Sequence, residues 1–245
     1  MPLKQSEAVV LRSYPLREAD LLVTFFTRNE GKIRGVAKAA MKSRKRFGGA
    51  LEPLTCVRVY YEDREKQELS RIDSCDVLQS PLTSPVDYPR AVALAHVAEV
   101  LDELMLDREV NDPMFRLAVA VLAHLPAGAI WMPVTYFDLW MVRLVGYLPD
   151  LGSCVVCGEP LEGERAFFHA MADGLMCVRD KRLASSELSQ DSRQLASEIF
   201  RSPIDTFEKC PWPKERAADL RKMLVQIMER HIEKKLVATA MLAKV

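Results

Sequence analysis

The stretch Leu21-Leu22-Val23-Thr24-Phe25-Phe26-Thr27-Arg28-Asn29-Glu30-Gly31-Lys32-Ile33-Arg34-Gly35-Val36-Ala37-Lys38 decides the reading of the fold. Its first seven residues are leucine, β-branched or aromatic, and Arg28-Asn29-Glu30-Gly31 is a polar turn closed by glycine, so the spacing predicts two strands joined as a hairpin. Working outward, Ala8 to Leu11 precedes it, Val57 to Tyr61 follows with the same character, and a weaker run lies near Leu69 to Val77. About five strands in so short a length favour a closed barrel, which leaves no open sheet edge. The OB-fold is the common five-stranded solution and one that binds oligonucleotides.

Beyond Ser80-Pro81-Leu82-Thr83-Ser84-Pro85 the period changes. Leu94, Val97, Leu101, Leu104 and Met105 recur at three- and four-residue steps, predicting a helix from about Asp87 to Asp107 with Asp87 as its cap. Asn111-Asp112-Pro113 and Trp131-Met132-Pro133 each mark a helix start, with helices running to about His124 and Gly146. Leu220, Met223, Leu224, Ile227, Met228 and His231 form the stripe of a last helix from about Lys214 to Lys235, and a loop-rich insert spans about 148–181. The expected architecture is α+β and multidomain: an N-terminal five-stranded OB-fold barrel over residues 1–80, then an α-helical domain over 81–245 carrying a zinc-knuckle insert.

Composition bounds the function. The chain has 245 residues, 34 Lys plus Arg balanced by 34 Asp plus Glu, and 49% hydrophobic residues, enough for a sizeable core. No apolar run approaches the ~18 residues a membrane helix needs, and Met1-Pro2-Leu3-Lys4-Gln5-Ser6-Glu7 lacks the apolar block of a signal peptide, so a soluble cytoplasmic protein is expected. The zero net charge is uneven: between Arg28 and Arg46 stand eight cations and one anion, Glu30. Such a segment attracts a polyanion whatever the whole-chain sum.

If Lys32 to Lys38 is a strand, Lys32, Arg34 and Lys38 share its outer face while Ile33 and Ala37 point into the barrel. Lys42, Arg44, Lys45 and Arg46 would extend that cationic stripe along a loop, and Arg58 with Tyr60 would add a charge and a stacking ring on the outer face of the next strand. These nine residues are the expected DNA contacts. No helix-turn-helix is evident, and cations alone suit phosphates, whose contact carries no sequence information.

Cys154-Val155-Val156-Cys157-Gly158 and a third thiol, Cys177, point to a metal. Two thiolates three residues apart can hold one ion in a tight turn, and a C-x2-C followed by glycine is a strong zinc-knuckle signal. A ribbon would close with a cysteine at position 180, where this chain has Asp180, an oxygen donor that zinc accepts; His169 is the competing fourth ligand. The expected set is Cys154, Cys157, Cys177 and Asp180 around a structural zinc, since four protein donors leave no open position for catalysis. Phosphate-loop, dinucleotide, H-E-x-x-H and G-x-S-x-G motifs are all absent, so no enzyme is expected. A metal-dependent enzyme acting on nucleic acid and a protein-only adaptor stay open as alternatives.

Glu18-Ala19-Asp20-Leu21-Leu22 leading into Gly31-Lys32-Ile33-Arg34-Gly35, then Lys42-Ser43-Arg44-Lys45-Arg46-Phe47-Gly48-Gly49-Ala50-Leu51-Glu52-Pro53-Leu54, and Val145-Gly146-Tyr147-Leu148-Pro149-Asp150-Leu151 before Cys154 together resemble the RecO family of bacterial recombination mediators. The likeness covers most of the chain, with the region after Leu183 matched by helical character alone. It departs at Ala39-Ala40-Met41, where the family commonly shows Gly-Ala-Arg, and at Asp180, where many members have a fourth cysteine. The resemblance implies a non-catalytic factor that binds single- and double-stranded DNA and anneals complementary strands. It implies association with RecR and with the C-terminal tail of single-stranded DNA-binding protein, and help in loading RecA.

Overall fold

The computed structural model describes residues 2–63, 68–83, 85–125, 129–163 and 165–245; Met1, 64–67, Ser84, 126–128 and Glu164 lie outside the described residues. The chain forms two compact units, residues 1–128 with 240–245, and residues 129–239.

The first unit is built on the expected five strands: β1 (Lys4–Pro15), β2 (Leu21–Thr27), β3 (Gly31–Ala37), β4 (Cys56–Glu62) and β5 (Ser70–Gln79). They close in the order β1-β2-β3-β5-β4, with β4 returning antiparallel to β1 and β3 joining β5 in parallel. That is the five-stranded OB-type barrel. Val10, Val23, Phe25, Ile33, Ala37, Val57, Val59, Tyr61 and Ile72 fill it, as the period-two pattern requires. Two glycines permit close approaches. A Cβ on Gly35 would stand 2.4 Å from the Ile72 side chain, at the β3–β5 seam that closes the barrel, and Gly31, at φ +66°, has its Cβ position 2.1 Å from the Glu109 carbonyl.

Between β3 and β4 the expected loop is partly helical. A 3-10 turn over Ala40–Lys42 leads into the single-turn helix α1 (Arg44–Phe47), whose Phe47 plugs the barrel. Helix α2 (Tyr88–Leu104) starts where expected, with the Asp87 carboxylate accepting from the Arg90 amide at 2.9 Å, but ends three residues short of Asp107. Buried Arg90 donates to the carbonyls of Pro81 (2.5 Å) and Pro85 (2.7 Å), fixing the connection from the barrel. Helix α3 (Asp112–His124) is capped by Asn111, which accepts from the Met114 amide at 3.1 Å.

The second unit contains α4 (Trp131–Leu144), a two-stranded ribbon of β6 (Ala166–Phe168) and β7 (Ser186–Leu188), α5 (Gln190–Arg201) and α6 (Ala218–His231). A last short helix, α7 (Val237–Leu242), straddles the division. The last long helix is shorter than expected, because Ala217 takes a left-handed φ of +59° and begins it four residues late. Buried Arg221 ties α6 to α4 by donating to the Thr135 hydroxyl at 2.9 Å.

Candidate nucleic-acid interface and metal centre

The cations of the basic segment have three different fates. Arg28 pairs with Asp112 at 2.7 Å and Glu7 at 3.1 Å. Lys32 is a correction to the expected stripe. Its strand face does point outward, but the end of α2 covers it: the ammonium donates to the Asp102 carbonyl at 2.7 Å and lies 3.4 Å from the Asp107 carboxylate, with only 8% of the side chain exposed. Arg46 is likewise engaged within the fold. Its guanidinium donates to the carbonyls of Lys38 (2.6 Å) and Asp73 (3.3 Å) and sits 4.9 Å from the Phe47 ring, fastening the loop to β5.

What remains is a set of exposed cations close together in sequence. Lys38, Lys42, Arg44 and Lys45 are exposed and have no ion-pair partner among the described residues; Arg34 is exposed beside them in sequence, 3.8 Å from Asp107. The backbone that carries them is pinned. The Ala39 amide donates to the Asp20 carboxylate at 2.8 Å and the Met41 amide to the Ala19 carbonyl at 3.1 Å, which ties the turn to the β1–β2 connection. Cations held on a fixed turn lose less entropy on meeting a ligand than cations on a free loop.

Arg58 and Tyr60 do face outward on β4 while Val57, Val59 and Tyr61 face in, but they do not join this surface. Strand β5 separates β4 from β3, Arg58 stands in register between Glu7 and Asp76, and the Tyr60 hydroxyl donates to Asp76 at 3.1 Å. Two carboxylates beside the cation make this a poor place for phosphate.

In the second unit the insert gathers Cys154, Cys157, Cys177 and Asp180, with one donor atom of each within 4.8 Å of all the others. The local turns explain why. Gly158, at φ +76°, donates to the Cys154 carbonyl at 2.9 Å, and the Asp180 amide donates to the Cys177 carbonyl at 3.3 Å, so each half folds back on itself and presents its donors inward. The Cys157 and Cys177 sulfurs are 3.9 Å apart, and an Asp180 oxygen lies 3.3 Å from the Cys154 sulfur and 3.2 Å from that of Cys177. Tetrahedral zinc with ~2.3 Å sulfur bonds would set sulfurs about 3.8 Å apart, so the donor set fits that ion. A hydrogen bond to the Asp180 carboxylate holds the Cys157 thiol up to about 12, a proton that a bound divalent cation would displace. His169 is not part of the cluster; its Nδ1 accepts from the Met171 amide at 3.1 Å.

Residues 1–81 match the family model described as Recombination protein O N terminal, and 85–240 match Recombination protein O C terminal. The chain is 69% identical over 242 residues, 99% of each chain, to the DNA repair protein RecO of Koribacter versatilis. The chain belongs to the RecO family. It is also 35% identical over 198 residues to the RecO of Bifidobacterium adolescentis, covering 78% of this chain and 79% of that one, and 29% identical over 245 residues to the RecO of an Anaeromyxobacter strain, covering 97% and 94%.

Membership of the RecO family supports a role in DNA repair and recombination. No helix among the described residues is long and apolar enough to cross a membrane. The departure at Ala39 now has a structural meaning, because Ala39 takes φ +54°, the left-handed region where glycine is at ease. Met41, in the place of the common arginine, is 60% exposed among the free lysines. Sequence reasoning missed α5, whose polar surface hides its short stripe of Leu195, Ala196 and Ile199; its signal was the cap Ser189, which accepts from the Ser192 amide at 3.2 Å.

Proposed function

We propose that this protein is a recombination mediator that grips DNA by its phosphates, independently of base sequence. The observation that carries this reading is the cluster of four exposed, unpaired cations, Lys38, Lys42, Arg44 and Lys45, on a pinned turn beside Arg34. Phosphate contacts of this kind accept single and double strands alike. Neutralising two phosphate chains at once lowers their repulsion while leaving base edges free to pair, which is the physical requirement of strand annealing. Lys32 and Arg46 then serve the barrel rather than the DNA, and Arg58 and Tyr60 lie apart from the main contact.

On the same reading the protein is a non-catalytic partner of RecR, binds the tail of single-stranded DNA-binding protein, and with RecR assists RecA loading in the cytoplasm, at the nucleoid. Family membership supports these partnerships. The division into an OB-fold domain over 1–80 and a helical domain over 81–245 is supported by the family-model matches at 1–81 and 85–240. Cys154, Cys157, Cys177 and Asp180 hold about one structural zinc per chain, supported by the donor spacing above.

The test reverses charge. Arg34→Glu with Lys38→Glu is expected to remove most of the binding of labelled DNA, measured by anisotropy, while the thermal transition stays in place. Unchanged affinity rejects the interface. Incubation of labelled DNA with the protein and Mg²⁺ or Zn²⁺ is expected to leave its length unchanged; a shortened product would favour an enzyme.

A further inference from the structure

The outer face of β1, β2 and β3 is not uniformly covered. Strand register places its outward residues in three rows. In the first, Val9 and Lys32 flank Phe26, which is fully buried and meets Phe115 of α3 at 5.9 Å. In the second, Arg12, Thr24 and Arg34 stand opposite one another, and the end of α2 reaches them through Asp102, 2.5 Å from Arg12, and Asp107. In the third, Tyr14, Leu22 and Val36 stand side by side, Tyr14 49% exposed and the other two half-buried.

This third row is an apolar strip bordered by cations at both edges. Arg34 lies on one side of Val36 along β3 and is exposed, and Lys38, one residue past the end of the strand, is exposed on the other. Leu16, 44% exposed, continues the strip into the β1–β2 connection, whose Ala19 carbonyl receives the Met41 amide beside Lys42. Of the two carboxylates in that connection, Asp20 is engaged with the Ala39 amide and Glu18 is exposed. Three strands at ~4.8 Å spacing make the strip about 10 Å across, with an area on the order of 100 Å², far below the ~800 Å² per partner of a stable protein interface. It is wide enough for one or two bases lying flat, as bases do on the aromatic-bearing sheets of single-strand binders, roughly two or three at a time.

We propose that Tyr14, Leu22 and Val36 form a base-stacking platform, with Tyr14 as its ring, that gives this barrel a preference for single-stranded over double-stranded DNA. The inference rests on the phosphate-binding reading above and deepens it by assigning a place to the bases. A single strand can lay its phosphates along Arg34, Lys38 and Lys42 and turn its unpaired bases onto the strip. A duplex keeps its bases stacked inside and gains only the phosphate contacts. The ring that sequence singled out for stacking, Tyr60, is hydrogen-bonded to a carboxylate on another strand; Tyr14, its hydroxyl accepting from Arg12 at 3.2 Å, is the one set beside the free cations.

The experiment compares single-stranded oligothymidine with a duplex of equal length, at one salt concentration, on the full chain. Tyr14→Ala is expected to weaken single-strand binding about five-fold or more, the range of one lost base–aromatic stack, with duplex affinity unchanged within about two-fold. Tyr14→Phe keeps the ring and is expected to bind both like the parent; because Tyr14 is half exposed, a thermal melt of each variant separates binding loss from unfolding. Equal weakening of both ligands by Tyr14→Ala, or of neither, overturns the platform. So does loss of RecR binding with single-strand affinity intact, which would make the strip a protein contact. Lys42→Ala with Arg44→Ala distinguishes the two ideas: if it weakens both ligands while Tyr14→Ala weakens neither, the platform alone fails, and if it weakens neither, the phosphate reading fails first.

Discussion

Lys32 separates a reading by charge from a reading by contact, and replacing it by methionine measures the difference. Methionine keeps the apolar stem and removes the ammonium that donates to the Asp102 carbonyl at 2.7 Å and lies 3.7 and 3.4 Å from the carboxylates of Asp102 and Asp107. A fully isolated buried pair broken on one side would cost ~3–5 kcal/mol. Here Asp102 keeps Arg12 at 2.5 Å and Asp107 is 58% exposed, so neither anion is stranded. The loss reduces to one charge-assisted hydrogen bond and some ion pairing, about 2 kcal/mol. With a urea dependence of about 2 kcal/mol per molar, the unfolding midpoint should fall by about 1 M. All three tryptophans lie in 129–239, so the barrel is followed by circular dichroism and tyrosine signal rather than tryptophan fluorescence. The salt dependence of DNA binding should not change, whereas deleting a phosphate contact would reduce its slope by about 0.7. An unshifted midpoint together with a reduced slope would refute the assignment of Lys32 to the fold.

Ala39→Gly should stabilise the first unit by about 0.5 kcal/mol, seen as a raised melting temperature, because glycine relieves the left-handed φ of +54° at some cost in unfolded-chain entropy. Burial alone would raise the Asp63 carboxyl, but hydrogen bonds from Arg108, Ser70 and Lys4 outweigh it and hold the group well below the usual carboxylate range. Its contribution is therefore present at neutral pH and lost as pH falls below about 4, the unfolded value. Asp63→Asn should lower the melting temperature at pH 7 and make a smaller difference at pH 3. Cys154→Ala with Cys157→Ala should abolish bound zinc, measured by elemental analysis, and lower the stability of 129–239 while changing DNA affinity less than about two-fold; a native-like melt and zinc content would contradict the ligand set.

The barrel was legible because its information is local. Period-two alternation set the inward residues of β3 and β4, and the starts of α2 and α3 each carried a capping side chain and a proline. The gathering of the cysteines was legible for the same reason: two cysteines three apart and a glycine determine their own turn. Ion pairing was not. Lys32 and Arg28 meet carboxylates 70 and 84 residues away, and no local pattern reveals that eight clustered cations reduce to four unpaired ones plus Arg34. Tyr14 was passed over because it stands at the end of β1, where only the register with Leu22 and Val36 shows what it adjoins.

The salt dependence of single-stranded DNA binding tests the central claim most directly. Five cations on phosphates, Arg34, Lys38, Lys42, Arg44 and Lys45, correspond to a log–log slope of about −3.5, or roughly a hundred-fold loss of affinity between 50 and 200 mM salt. Lys42→Ala with Arg44→Ala should reduce the slope to about −2 and the loss to roughly twenty-fold. A parent slope shallower than about −1, or a slope that the double substitution leaves untouched, would contradict a phosphate grip by this surface.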